Sequence, residues 1–257
     1  MGNTVKLQHT RRSHPTNAEV PYRHPSWVSR VRARSNENRG VALIEAAIVT
    51  PIFLMLIMAL AEGGLFMRNY LGLSSTVRAG ARSASAVGVD SSADLYIVRS
   101  IAQESAALPR NAIQYIVVYK ATGFGAGPPD DGAAGVPGGC IAGQPRAGVC
   151  NVYVPSDFIK AEVQIAEETR HRAAVDGGNT GDVLDLNKIW FGCLTTGPHA
   201  NATPDRYWCP STRNNTLRYG DYVGVYMKIK HDWLTNIFGS AKTISDQSVI
   251  RMEPQYR

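Results

Sequence analysis

The chain has 257 residues and a net charge of +6, a length that suits one domain with accessory segments or two small domains. The excess positive charge lies in residues 1–40, which contain eight Lys or Arg and two Glu, so residues 41–257 are neutral overall. This distribution argues against nucleic acid as a partner, because the remainder of the chain has no excess of basic residues to contact phosphates.

Residues 1–40 are predicted to be a disordered basic leader. They are rich in Pro, Ser and Asn and contain few large apolar residues, so they cannot bury enough surface to fold. The arginines stand directly before a long apolar run, and the positive-inside rule therefore places the N-terminus in the cytoplasm.

The apolar run covers residues 41–61 and is interrupted by one charged residue, Glu45, and one proline, Pro51. As a helix, about 21 residues extend roughly 30 Å, which is enough to cross a bilayer. We therefore predict a single transmembrane helix followed by an extracytoplasmic C-terminal region. A cleaved secretory signal is the alternative, although the apolar core of such signals is usually shorter.

Residues 62–89 are predicted to continue this helix as an amphipathic segment. Apolar and polar residues recur there at steps of three or four, the spacing that places each set on one face. The predicted inner face consists of Phe66, Tyr70, Leu73, Val77, Ala81 and Ala84. The predicted outer face consists of Arg68, Ser75, Arg78, Arg82 and Ser85.

Residues 90–257 are predicted to form an extracytoplasmic α+β domain with a small antiparallel sheet and disulfide-stapled loops. Helical periodicity, β-branched runs and turn residues assign its elements. In chain order these are a helix near 92–107, strands at 112–120 and 151–154, a helix over 157–174 with Ile159, Val163 and Ala166 inward, a half-buried strand over 222–230, a helical turn at 233–238 and a strand at 243–251.

The four cysteines all follow the apolar run, and an even number on the exported side favours two disulfides. Three pairings are possible, and the local spacing favours Cys140 with Cys150 and Cys193 with Cys209. A zinc site is the weaker interpretation, because no pair has the short spacing of a zinc-binding motif. The first pair would staple the Gly/Pro-rich loop 121–150, and the second would close the polar region 176–218.

No pattern in the chain indicates catalysis. The exported histidines are scattered, and neither a metalloprotease motif, a nucleophile elbow nor a phosphate-binding glycine loop is present. We therefore expect no catalytic residue, no metal and no cofactor, and we expect that the protein is not an enzyme.

The residues around the apolar run resemble the N-terminal module of TadE-like proteins, which are minor pilins, or pseudopilins, of the Tad (Flp) branch of type IV pili. The last residues, from Asp221 through WLTNIFG to SVIRMEP, resemble the closing strands of that family more loosely. The matching features of the module are Arg39, Gly40, Glu45, Pro51, Glu62, Gly63 and the segment Arg78–Arg82.

The resemblance implies cleavage between Gly40 and Val41 by a prepilin peptidase, which would free the amine of Val41. Glu45 lies one helical turn further along and is expected to pair with a free amine during assembly, since a lone charge in a bilayer is costly. A headgroup-level glutamate whose side chain reaches the membrane surface is the alternative explanation for Glu45.

The resemblance thus predicts a minor pilin anchored in the cytoplasmic (inner) membrane, with its C-terminal domain extracytoplasmic; whether it also resides in the pilus is left open. Its expected partners are the prepilin peptidase, other pilins of the Tad system, the inner-membrane assembly platform and the lipid bilayer. Two alternatives stay open: a TadG- or TadF-like accessory pseudopilin, and a single-pass extracytoplasmic enzyme or ligand-binding protein with an uncleaved anchor.

Overall fold

The computed structural model describes residues 39–123, 135–236 and 238–254. The predicted leader up to residue 38 and the middle of the loop 121–150 lie outside the described residues. The chain divides into two units, one ending at Leu56 and one beginning at Ile57, and each is described by itself.

Helix α1 comprises Arg39–Val87, which confirms the predicted long N-terminal helix. In the second unit, its inner face is buried at the positions given by the three-to-four spacing, namely Leu73, Val77, Ala81 and Ala84. Two positions differ from the prediction. Tyr70 is 44 % exposed, and Ser85 is buried because its hydroxyl donates to the carbonyl oxygen of Arg251 at 2.8 Å.

Three further helices follow. They are α2 at Ala93–Glu104, the single turn α3 at Gly138–Ile141, and α4 at Pro155–Asp176. Short 3₁₀ turns connect the other segments, at Ser105–Ala107, Arg110–Ala112, Leu186–Lys188, Arg206–Trp208 and Pro210–Thr212.

Four antiparallel strands form one sheet in the order β2-β1-β3-β4. The strands are β1 at Ile113–Ala121, β2 at Cys150–Tyr153, β3 at Tyr222–Asp232 and β4 at Ala241–Arg251. A long N-terminal helix followed by a small antiparallel sheet confirms the predicted α+β class. The fold also contains two disulfides, Cys140–Cys150 and Cys193–Cys209, the pairs that the local spacing favours.

The sheet is covered on both faces in its centre, which corrects the prediction of a half-buried β3. One face packs on α1 and α2 through residues such as Val118 and Val225. On the other face, Val117, Tyr119 and Tyr226 pack with Val136 and the Cys140–Cys150 disulfide. The alternation in β3 conceals this second core, because its members are a tyrosine and a glycine and not an aliphatic stripe.

Gly224 permits that second core. The ring of Tyr119 lies over its backbone, and a Cβ at this position would be 2.1 Å from Tyr119 Cζ. The Tyr119 hydroxyl donates to Gln247 Oε1 at 2.8 Å, which satisfies the polar end of a fully buried ring.

The inward face of α4 differs from the prediction. Ile159, Val163 and Ala166 are exposed, whereas Phe158, Ala161 and the polar Gln164 are buried. Gln164 faces inward because its Oε1 accepts hydrogen bonds from the backbone of Trp190 and Phe191, both at 2.8 Å. A buried amide is tolerated when it is bonded in this way.

The predicted helical turn at 233–238 is also wrong for the residues that are described. Residues 233–236 and 238–240 instead form the irregular connection of the β3–β4 hairpin, which is closed by a hydrogen bond from Trp233 N to the Ser240 carbonyl at 3.2 Å. Asn236 has a positive φ of 57°, a conformation that asparagine tolerates and that interrupts a helical path. We call these residues the β3–β4 connection.

Candidate assembly segment

The predicted processing site lies in the first turn of α1. Gly40 and Val41 are both exposed, with Val41 at 66 %. A Cβ at Gly40 would meet no atom within 4 Å, so packing among the described residues does not require glycine there.

Glu45 is exposed and lies four residues after Val41 on the same helix. Residues at this spacing are neighbours on a helical surface, with Cβ atoms about 5–6 Å apart. Among the described residues Glu45 has neither an ion pair nor a hydrogen bond, so the fold supplies no partner for this carboxylate. The helix thus brings Val41 and Glu45 together, and it leaves both uncovered.

The apolar side chains between Glu45 and residue 61 are exposed around the whole helix. Within the described residues, Gly40–Val87 is the only helix long and apolar enough to span a membrane, with a mean hydropathy of 2.4 over its most apolar window. The exposed members include Leu43, Ile48, Ile52, Phe53, Leu56 and Leu60. An all-round apolar surface matches lipid or other apolar helices, not water.

Glu62 directly follows the apolar run and is only 1 % exposed. Its Oε1 accepts hydrogen bonds from Thr235, from the backbone N at 2.5 Å and from the side-chain Oγ1 at 2.8 Å. The sequence places Glu62 in the family motif, but it does not reveal this partner, which is 173 residues away. A carboxylate placed directly after an apolar run is the one signal that could have suggested a buried bond.

An aromatic cluster extends the contact between α1 and the β3–β4 connection. Phe66 stacks on Trp233 with ring centroids 5.5 Å apart, and Trp233 contacts Phe238 at 5.3 Å. His231, which is buried, lies edge-on to Trp233 at 4.7 Å and accepts a hydrogen bond from Asn69 at 2.8 Å. These contacts hold the connection against the first two turns of the helix after the apolar run.

The second unit contains a buried ion pair between Asp94 on α2 and Arg213, with Oδ1 and Nη1 2.7 Å apart and both side chains fully buried. Asp94 also accepts hydrogen bonds from Asn151 and from the Tyr153 hydroxyl. Burial, with the nearby Asp94 carboxylate, raises the pKa of Tyr153 well above its usual value. No part of this network reaches the surface, so it ties α2, β2 and the loop before β3 together and does not form an open site.

No group of three or more His, Cys, Asp or Glu side chains with metal-binding geometry occurs among residues 39–123, 135–236 and 238–254. The predicted site residues therefore fall into two sets. Gly40, Val41 and Glu45 lie on the exposed start of α1, and the four cysteines form two disulfides in the second unit.

A family model described as TadE-like protein matches residues 40–82, a segment that begins at Gly40 and includes Glu45, Pro51 and Glu62. Residues 40–82 are therefore similar to TadE-like proteins. The family associates the chain with the Tad pilus system, and the exposed apolar helix is compatible with single-pass membrane anchoring. Comparisons with curated proteins and with solved structures gave no match.

Proposed function

We propose that this TadE-like protein is a minor pilin, or pseudopilin, that takes part in assembly of a Tad pilus after a prepilin peptidase removes its leader. The observation that carries the proposal is the match to the family from Gly40 onward, over a helix whose apolar side chains are uncovered. In this role the protein is a substrate of the peptidase and a structural component, not an enzyme.

The exposure of Gly40 supports cleavage between Gly40 and Val41. Since the fold around position 40 leaves open space for a side chain, a structural need for glycine is absent there. A protease cleft that must admit the backbone closely would supply the missing need, because only glycine has no Cβ to hinder the approach. We further propose that the leader is held on the cytoplasmic side by its positive charge.

The position of Glu45 supports a role in assembly. After cleavage the amine of Val41 would stand one turn away on the same face. A carboxylate in a bilayer is costly unless it is paired, so Glu45 gains from contact with a free amine, either its own or that of a neighbouring subunit. Pairing between neighbours would set the axial register of packed N-terminal helices.

The mature N-terminus tests the processing site. Mass spectrometry of the membrane-bound protein from cells that contain the Tad system should find Val41 as the first residue. An intact leader would contradict the proposal, and an intact leader together with hydrolase activity would favour an anchored extracytoplasmic enzyme. An accessory TadF- or TadG-like role would show the same cleavage without the protein in sheared pili.

Glu45→Ala tests the register role. The variant should be cleaved and should insert at least as well as wild type, because the segment becomes more apolar. It should nevertheless be depleted from the sheared pilus fraction when both proteins are made at matched levels. Glu162→Ala, at an exposed position on α4, is the matched control. If the Glu45→Ala protein enters pili as well as wild type, the carboxylate has no register role.

A further inference from the structure

We propose that the β3–β4 connection is a second membrane contact, with Leu234 and Phe238 inserted into the lipid interface beside the point where α1 leaves the bilayer. The inference rests on the membrane span in the proposed function and adds to it a surface of the exported domain. Its occupant is the bilayer surface, not another protein.

The depth of the connection is set by the hydrogen bonds of Glu62. Glu62 is the first residue after the apolar run 41–61, and Oε1 binds both the backbone N and the hydroxyl of Thr235. Each helical residue rises only about 1.5 Å, so Thr235 lies within a few ångströms of the level at which the apolar run ends. That level is the boundary between hydrocarbon and headgroups.

The side chains on either side of Thr235 suit that boundary. Leu234 is 70 % exposed and Phe238 is 56 % exposed. Phe238 belongs to the aromatic cluster with Trp233 and Phe66, which fixes the connection in place. Leu and Phe are among the residues that membrane-surface segments bury at the boundary of headgroups and acyl chains, and Trp concentrates at the same level.

The exposed apolar surface is continuous with that of the helix. Met58 lies one turn before Glu62 on the same face of α1 and is 42 % exposed. Leu65, on the other side of Glu62, is 38 % exposed and shares a cavity with Leu234. A bilayer that covers Met58 would therefore meet the connection next.

Basic side chains lie where headgroup phosphates are expected. Arg68 and Lys230 line the same cavity, which has a volume of about 420 Å³. Arg68 is six residues beyond Glu62, or about 9 Å along the helix, a distance that reaches the headgroup layer. Arg68 has no ion pair within the described residues, whereas Lys230 is 2.9 Å from the exposed carboxylate of Asp232. Arg68 is exposed, and the Lys230 side chain is half-exposed.

Cysteine labelling measures the depth directly. The chain has only four cysteines, and all of them form disulfides, so one added cysteine provides a unique label. Leu234→Cys and Phe238→Cys would carry a fluorophore in the full chain, in liposomes at low protein density, with nitroxide-bearing lipids as quenchers. Leu60→Cys, in the apolar run, is the positive control. Leu217→Cys, exposed on the loop before the other end of β3, is the negative control.

Fluorophores at 234 and 238 should be quenched by nitroxide at the headgroup and upper acyl positions, whereas the fluorophore at 217 should not. Equal signals at 234 and 217, with quenching at 60, would overturn the inference and leave the membrane span intact. Absence of quenching at 60 would overturn both. If the fluorophore at 234 is unquenched at low protein density and becomes shielded from water only at high protein density, the surface contacts a second copy of the chain. That result would also overturn the bilayer contact.

Discussion

The two glutamates of helix α1, Glu45 and Glu62, differ in burial and in hydrogen bonding. Glu45 is exposed and has no hydrogen-bonding partner among the described residues, whereas Glu62 is buried and accepts two hydrogen bonds from Thr235. The second carboxylate is explained by the fold itself. Among the described residues no group pairs with the first, and this is why we propose a role for it in assembly.

The glycines of α1 show the same contrast. A Cβ at Gly40 would meet open space, whereas a Cβ at Gly80 would lie 2.7 Å from Ile101 Cγ1 and 3.3 Å from Val225 Cγ1. Ile101 is fully buried, so it cannot move aside without disturbing the core. Packing therefore requires glycine at position 80 but not at position 40, where we propose that a peptidase recognises it.

Matched leucine substitutions should separate these two roles most strongly. Gly80→Leu should destabilise the exported domain by about 3 kcal/mol or more, because a side chain is forced into a filled core. Gly40→Leu should leave unfolding unchanged but should block leader removal, since the proposed peptidase cleft would not admit the side chain. Thermal unfolding and the intact mass of each variant are the measurements.

A Gly40→Leu protein that still loses its first 40 residues would eliminate the proposed cleavage position. A Gly80→Leu protein that unfolds at the wild-type temperature would remove the contrast between the two glycines.

Reduction of the disulfides should affect the exported domain alone. The disulfides Cys140–Cys150 and Cys193–Cys209 close loops of 10 and 16 residues, and such closures stabilise by about 2–3 kcal/mol each. A reductant should lower the unfolding temperature of the domain without releasing the protein from membranes. Peptide mapping without reductant should recover both pairs. Four free thiols in the exported protein would reject the pairing and the oxidising compartment together.

Glu62→Ala should destabilise the domain by about 1–3 kcal/mol, because it removes both hydrogen bonds to Thr235 from a buried site. Glu45→Ala is the matched substitution in the same helix, and it should leave the unfolding free energy unchanged. Denaturant unfolding in detergent compares the two. Equal stability of the two variants would show that the burial of Glu62 contributes nothing.

Acid should produce the smallest effect, and only in the exported domain. Hydrogen bonds and ion pairing with Arg170, with further bonds from Asp185 N and Lys188, lower the pKa of Glu167 to about 2. Because this pKa is below the usual value of about 4.5, the stabilisation is complete above that value and is lost as the pH falls towards 2. Glu167→Gln should flatten the acid dependence of the unfolding temperature, whereas Glu162→Gln on the same helix should not. A Glu167→Gln protein with the wild-type acid dependence would contradict this assignment.

The sequence predicts the parts of the fold that depend on periodicity. The inner face of α1 follows from its three-to-four spacing, and β3 follows from the alternation of its residues. The family match also includes Gly40 and Glu45, the residues for which we propose roles in processing and assembly. These features are local, so a single stretch of sequence contains all the information that they need.

The parts that could not be predicted depend on distant partners. Gln164 is polar and is buried only because the backbone of Trp190 and Phe191 provides donors. The hydrogen bond between Glu62 and Thr235 joins residues that are 173 positions apart in the sequence. In both cases hydropathy assigns a polar residue to the surface, and only the tertiary contact reverses that assignment.

The order of the strands determines when the sheet can form. The central pair β1–β3 joins Val118 to Val225, so in the proposed orientation the sheet cannot close until residue 225 has crossed the membrane. The disulfides Cys140–Cys150 and Cys193–Cys209 connect near neighbours in sequence and can form before that moment. In that orientation, we expect export to produce an intermediate in which both disulfides have formed but the sheet is still open, so that the inner face of α1 is not yet covered by β3.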